Sequence, residues 1–275
     1  MIRRNLLLVF STVSIGIRIS NAQVVLHESF DYTTGVDLAA QSSAVWVNVN
    51  SGDTVSVVSG NLSVPGLQAS AGNSASFAGA GIDPHRTFTA RTSTTWYSLV
   101  INVVSLGSLN STGGYFFGVG DNSTTFGATV WTRSDGAGFD VGINQRTTAA
   151  QNAWSSGTQA VGSTIFLVGN YVLNSGTGND VANLWINPSS DSFGGTEPAA
   201  TLTSSGASAD LTQVQRIFLR QDSTTTTPNL VVDEIRVGNS WADVTPVPEP
   251  SEYVALTSAG LIGFALWRRR AARKA

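Results

Sequence analysis

The sequence predicts an all-β fold, a jelly-roll sandwich of two packed antiparallel sheets, across the central part of a 275-residue chain. Three observations predict it. About a dozen short segments are rich in Val, Ile, Thr and aromatic residues and are bounded by Gly, Asn, Asp, Ser or Pro. No central segment sustains an apolar period of 3.6 residues, so helix is expected only at the two ends. No convincing repeat recurs at roughly 20–50 residues, which disfavours solenoids and propellers.

The elements follow in chain order. Arg3 and Arg4 precede an apolar run of 12 residues, 6–17, and Ser20-Asn21-Ala22 supplies small residues before a cut between Ala22 and Gln23. A basic start, an apolar middle and a small-residue end make residues 1–22 a secretory signal helix, and the run is too short to span a membrane. Strands are expected at 23–30, 44–49, 54–58, 61–64, 95–105, 114–119, 125–131, 138–144, 163–171, 181–186, 216–220 and 229–237, within one body over 23–241. In the last strand, regular alternation puts Val231, Asp233, Ile235 and Val237 on one face and Val232, Glu234 and Arg236 on the other. Residues 242–252 then read as a Pro-bearing, extended linker. Residues 253–267 form an uncharged apolar stretch, a short transmembrane helix, and 268–275 form a basic cytoplasmic tail.

Composition excludes several functions. There is no Cys, so disulfide scaffolds, Cys-ligated zinc and thiol catalysis are out. Without the two ends, residues 23–245 keep seven basic residues, all Arg, against 16 acidic ones, a net charge near −9 that the overall −3 conceals. An acidic body repels nucleic acid and attracts hard cations such as Ca²⁺.

Val247-Pro248-Glu249-Pro250-Ser251, the short apolar span and the closing cluster Arg268, Arg269 and Arg270 resemble the PEP-CTERM sorting signal of Gram-negative bacteria. The resemblance implies export and processing by signal peptidase and an exosortase. It also implies an inner-membrane intermediate, then display at the cell surface or in the matrix with extracellular polysaccharide and biofilm. A second resemblance lies in the body. His27-Glu28-Ser29-Phe30-Asp31-Tyr32, Ile165-Phe166-Leu167-Val168-Gly169, Leu184-Trp185-Ile186-Asn187-Pro188, Leu219-Arg220-Gln221 and the stretch from Asp233 to Trp241 resemble strands of LamG-like, concanavalin A-like domains. This implies a jelly roll with neighbouring first and last strands, in a group whose members often bind glycans or Ca²⁺.

No catalytic set is evident, and the expected protein is not an enzyme. Glu28, Asp31, Asp233 and Glu234 are the acids that neighbouring terminal strands would bring closest, but a glycosidase needs two facing carboxylates, and structural pairing is the simpler use. His27 and His85 share no metal motif. Asp121, Asn122, Asp135, Asp140, Asn179 and Asp180 are oxygen-rich loop positions where Ca²⁺ would sit, although such residues also simply form turns. Trp96, Trp131 and Trp185 lie in apolar strands and are expected in the core. Trp46 and Trp154 have polar neighbours and are the candidate ligand-contacting indoles. The expected function is a structural or adhesive surface protein with glycan affinity. The alternative is a secreted polysaccharide-degrading enzyme on the same fold.

Overall fold

The structure, a computed structural model, describes residues 24–206 and 209–248. The expected signal helix, Ala22, Gln23, Glu249, Pro250, the expected apolar anchor and Arg268, Arg269 and Arg270 lie outside the described residues. Among the described residues no helix is long and apolar enough to cross a membrane.

Among the described residues fifteen strands build the two antiparallel sheets that the sequence predicts. The first sheet orders β13 (Leu202–Ser205), β12 (Val181–Ile186), β11 (Thr164–Val172), β6 (Thr95–Ser105), β15 (Asn229–Gly238), β4 (Ser74–Phe77) and β3 (Ser56–Val58), and β1 (Leu26–Glu28) adds to β15. The second orders β10 (Ala153–Trp154), β9 (Gly138–Asn144), β8 (Thr125–Asp135), β7 (Gly114–Asn122), β14 (Val214–Leu219), β5 (Pro84–Arg91) and β2 (Trp46–Asn48). The first and last strands pair, Leu26 opposite Val237 and Glu28 opposite Ile235.

The main core lies between the sheets. Leu99, Ile101 and Val103 of β6 and Ile165 and Leu167 of β11 meet Phe117, Val130, Val141, Ile143, Ile217 and Leu219 of the second sheet. The fully buried Tyr97 crosses this core and donates its hydroxyl to the carbonyl of Ala128 at 3.1 Å. Its ring lies over Gly169, its pairing partner on β11, where a Cβ would come within 2.3 Å of the ring.

A second cluster covers the outer face of the first sheet: Trp96, Val100, Phe166, Val168 and Trp185 under Leu67, Phe193, Trp241 and Val244. β6 is therefore buried on both faces over most of its length, which explains its continuous apolar run without alternation. Trp96 and Trp185 are buried as expected, but in this outer layer.

Several local expectations need correction. Residues 61–64 form no strand; they belong to the loop over this outer layer, where Leu62 and Val64 pack beside Leu67. β4, β5 and β13 were not expected, because their alternation is diluted by Ser, Thr, His and Arg. Helix is not confined to the termini: Asp37 caps α1 (Leu38–Gln41) by accepting from the amide of Ala40 at 2.9 Å, and Ser240 caps α2 (Trp241–Val244). The segment after Trp241 is docked rather than extended, since Val244 and Pro246 carbonyls accept from Ser98 Oγ and the Gln68 amide.

The strongest departure is in β15. Leu230 and Val232 face the main core together with Ile235 and Val237. A bulge between Asp233 and Arg236, with Glu234 at φ 50°, inserts a residue and shifts the side-chain phase. Regular alternation, which placed Val232 and Ile235 on opposite faces, fails there.

Candidate functional site

The outer face of the second sheet carries a continuous row of rings. On β8 and β9 the core residues Val130, Val141 and Ile143 alternate with Trp131, Asp140, Gly142 and Asn144, which point outward. On β14, Ile217 and Leu219 point inward while Arg216 and Phe218 point outward, and Arg220 follows just past the strand's end. The row starts at the β10 edge. Trp154 lies edge-on to Trp131 at 6.4 Å, Trp131 to Tyr115 is 5.3 Å, and Tyr115 to Phe126 is 5.6 Å. Phe126 to Phe218 is 4.5 Å, and Phe218 to His85 on β5 is 5.9 Å. Two glycines permit it: a Cβ on Gly142 would meet the Trp154 ring at 2.7 Å, and one on Gly120 would meet Phe218 at 2.5 Å.

Arginines lie over the rings. The Arg133 guanidinium sits 4.5 Å from the Trp154 centroid and pairs with Asp140 at 2.9 Å. Arg220 sits 4.2 Å from the Tyr115 centroid and pairs with Asp222 at 2.6 Å. These are cation–π contacts held by charge-assisted bonds, so the face is a rigid, mixed aromatic and polar surface. Burial raises the pKa of the Tyr115 phenol, which stays protonated and able to donate. Asn144 donates to Asn152 at 2.5 Å beside Trp154, leaving the buried Asn152 amide nitrogen without a partner.

Of the residues singled out from the sequence, Trp154 ends the row, half-buried. Trp131 is buried, but on this outer face, with Nε1 donating to Thr129 at 2.9 Å. Trp46 is not a ligand platform. It is 1% exposed between the sheets, stacks on Phe30 at 6.1 Å, and donates Nε1 to Glu28 at 2.7 Å. Its polar sequence neighbours Asn48 and Asn50 belong to an edge strand and its loop, and they say nothing about the inward-facing indole.

The acids of the terminal strands come together without making a cleft. Glu28 accepts from Trp46, from Tyr32 at 3.0 Å, from the Phe30 amide at 2.7 Å, and from Arg86. Glu234 accepts from the Ala71 amide at 3.0 Å and pairs with His27 at 3.0 Å and Arg236 at 2.6 Å. Asp233 accepts from the amides of Leu62 and Glu234, both at 2.7 Å. Both Asp233 and Glu234 are buried, because the bulge replaces regular alternation.

The oxygen-rich positions do not converge. Asp121 is engaged by Thr212, Gln213 and Gln215, Asp135 by Thr158, and Asp140 by Arg133. Asp180 and Asp210 organise one loop, where Asp210 accepts from the Asn179 and Asp180 amides. Among the described residues no group of three or more His, Cys, Asp or Glu is placed to hold a metal.

Sequence reasoning missed Tyr115, Phe126, Phe218, Arg133 and Arg216; it weighed His85 only as a metal ligand and met Arg220 within a strand resemblance. A signal existed in the alternations Thr129-Trp131-Arg133 and Arg216-Phe218-Arg220, but only sheet order aligns them into one row.

No protein-family model matches the chain, and no curated protein is significantly similar to it. Solved structures similar to it include domain 4 of AbnA, a GH43 extracellular arabinanase from Geobacillus stearothermophilus, in complex with arabinotriose. It has 15% identity and a TM-score of 0.45, with 82% of this chain and 98% of that one covered. Carbohydrate-binding module CBM66 from Bacillus subtilis has 10% identity and a TM-score of 0.36, covering 71% and 96%. The botulinum neurotoxin serotype G binding domain has 8% identity and a TM-score of 0.42, covering 85% of this chain and 50% of that one. All three are remote likenesses, and the fold is read from the two sheets themselves.

Proposed function

We propose that this chain is an exported, non-enzymatic component of the cell surface or extracellular matrix, whose sandwich holds polysaccharide along the outer face of the second sheet. One observation carries the reading: a row of rings from Trp154 to His85, in which Trp154, Tyr115 and Phe126 keep partial exposure over the buried Trp131, Phe218 and His85, on a sheet face lined with Arg, Asp and Asn. Ring faces and edges suit the apolar C–H surfaces of sugars, and the charged groups suit their hydroxyls. The acids of the terminal strands are occupied by structural donors, which favours binding over glycoside hydrolysis.

Trp154 is the row's least enclosed indole, so its truncation is the first test. In affinity electrophoresis against a panel of neutral and acidic polysaccharides, the wild-type body is retarded by at least one polymer. Trp154→Ala weakens that retardation about tenfold, a loss typical of an aromatic anchor. Equal retardation of the variant and the wild type would sink the reading.

The sorting half of the proposal rests on the resemblance of the Pro248-Glu249-Pro250 region and Arg cluster to the PEP-CTERM signal. In the native host, intact mass is expected to show loss of both ends, with the protein in the outer surface or medium. Deleting residues 248–250 should leave an unprocessed chain in the inner membrane. Unchanged processing of the deletion would remove the exosortase from the account.

A further inference from the structure

Two arginines of the β5–β14 pair, Arg91 and Arg216, form no ion pair among the described residues, and Arg216 stands beside the ring row. Of the described arginines, Arg86, Arg133, Arg220 and Arg236 form ion pairs, and Arg146 donates to the carbonyls of Phe126 and Ala209. Arg216 forms no ion pair among the described residues, and its buried Nε has no hydrogen-bond partner. In a body with 16 acidic residues and seven arginines, partners are plentiful, so an unpaired guanidinium requires another explanation. A buried donor left without an acceptor is destabilising.

The surroundings identify what is missing. Arg216 stands opposite Thr87 on β5 and Gly120 on β7, and Phe218, two residues on, stands opposite His85. Arg216 and His85 are thus diagonal neighbours on one face, at the β5 end of the aromatic row. His85 is only 8% exposed, and its Nδ1 is likewise buried without a partner. Burial and the Arg216 charge hold its pKa below the usual histidine range, so the imidazole is neutral and adds a polar contact rather than a second charge. Arg91, opposite Val214 on the same strand pair, also has a buried Nε without a partner. Among the described residues no acid forms an ion pair with Arg216.

We propose that Arg216 and His85 receive an anionic substituent, the carboxylate of a uronic acid or a sulfate ester, of a polysaccharide lying along the ring row. The proposal rests on the polysaccharide-binding reading above and narrows it to acidic polymers. A guanidinium fork matches a planar carboxylate or a sulfate edge, whereas the net negative body repels polyanions in general. Recognition is therefore local, and added salt weakens it through the single contact rather than through a broad basic surface.

The test is affinity electrophoresis of the full chain, as wild type, Arg216→Gln and Arg216→Lys, in gels containing polygalacturonate, dextran sulfate or dextran, with thermal melting as the folding control. The expected result is retention by polygalacturonate or dextran sulfate, reduced at least tenfold in Arg216→Gln and partly kept in Arg216→Lys. Retention by polygalacturonate alone assigns a carboxylate, and retention by dextran sulfate alone assigns a sulfate. Retention by dextran only, or equal retention of wild type and Arg216→Gln by the acidic polymers, overturns the anionic site while leaving the ring-row reading intact. Loss of retention by all three polymers in the folded wild type overturns both. If Arg216→Gln unfolds, His85→Gln takes its place, with the same expected loss on the acidic polymers.

Discussion

Glu28→Ala is expected to lower the unfolding free energy by about 3–5 kcal/mol, the range for breaking a buried ion pair by removing one partner. Glu28 is 2% exposed, on the first strand, and it binds four separate parts of the chain: the Phe30 amide, the Tyr32 hydroxyl, the Trp46 indole and the Arg86 guanidinium. Trp46 and Arg86 belong to the second sheet, so this carboxylate ties the edge of one sheet to the other. Removing it leaves a guanidinium and an indole N–H inside the sandwich without an acceptor. Arg86 keeps 22% side-chain exposure and recovers part of its hydration, which places the effect toward the lower end of the range. Glu28→Gln keeps one carbonyl acceptor but turns an amide N–H₂ toward the same donors, so an intermediate loss is expected. Chemical denaturation at neutral pH measures both, and a loss under 1 kcal/mol for Glu28→Ala would show that the tie is dispensable.

The second large effect is pH-dependent. Asp233 is fully buried, and burial pushes its pKa up to about 7, with the neighbouring Glu234 charge adding to the rise. The Leu62 and Glu234 amides and Arg236 pull the other way. A carboxyl raised in the folded state favours the proton-bound fold. Its stabilisation is complete below the ordinary carboxylate value near 4 and is lost as pH rises to about 7, by at most about 1.4 kcal/mol per pH unit. Two groups oppose this slope. Glu234, held low by His27, the Ala71 amide and Arg236 despite burial, loses stabilisation as pH falls below the carboxylate range. His85, held low by burial, loses it as pH falls below its own usual range. Asp233→Asn isolates the first contribution. Denaturation from pH 4 to pH 8 should show the variant gaining on the wild type across the window, by up to about 4 kcal/mol in total. A pH-independent difference would refute the assignment to Asp233.

How much of this was legible beforehand differs between the fold and the face. β6, β9 and β12 were readable almost to the residue, because β-branched and aromatic runs end at Gly, Asn or Asp turns. The pairing of terminal strands was implied by resemblance and is observed. β4, β5 and β13 were not readable, since their half-buried Ser, Thr, His and Arg hide the alternation. Trp46 shows the limit most clearly. Its neighbours in sequence are polar and exposed, yet its ring is sealed against Glu28 and Phe30, contacts supplied from 18 and 16 positions earlier in the chain.

The amino-acid sequence by itself determined that the centre folds as strands, that it folds without disulfides, and that the body is strongly acidic. Those properties are local or additive: side-chain branching, turn residues and charge counts act wherever the chain goes. Only the tertiary structure decided which outward side chains became neighbours. Trp154, Trp131, Tyr115, Phe218 and His85 come from five strands whose order in the sheet is β10, β8, β7, β14 and β5 with β9 between the first two, an order that runs back along the chain from β10 to β7 and then jumps to β14 and β5. It also decided that the bulge at Asp233 and Glu234 buries both acids, and that Arg216 forms no ion pair among the described residues. Sheet order and strand register set these contacts, and both follow from how two apolar faces close over one core, which no short stretch of sequence contains.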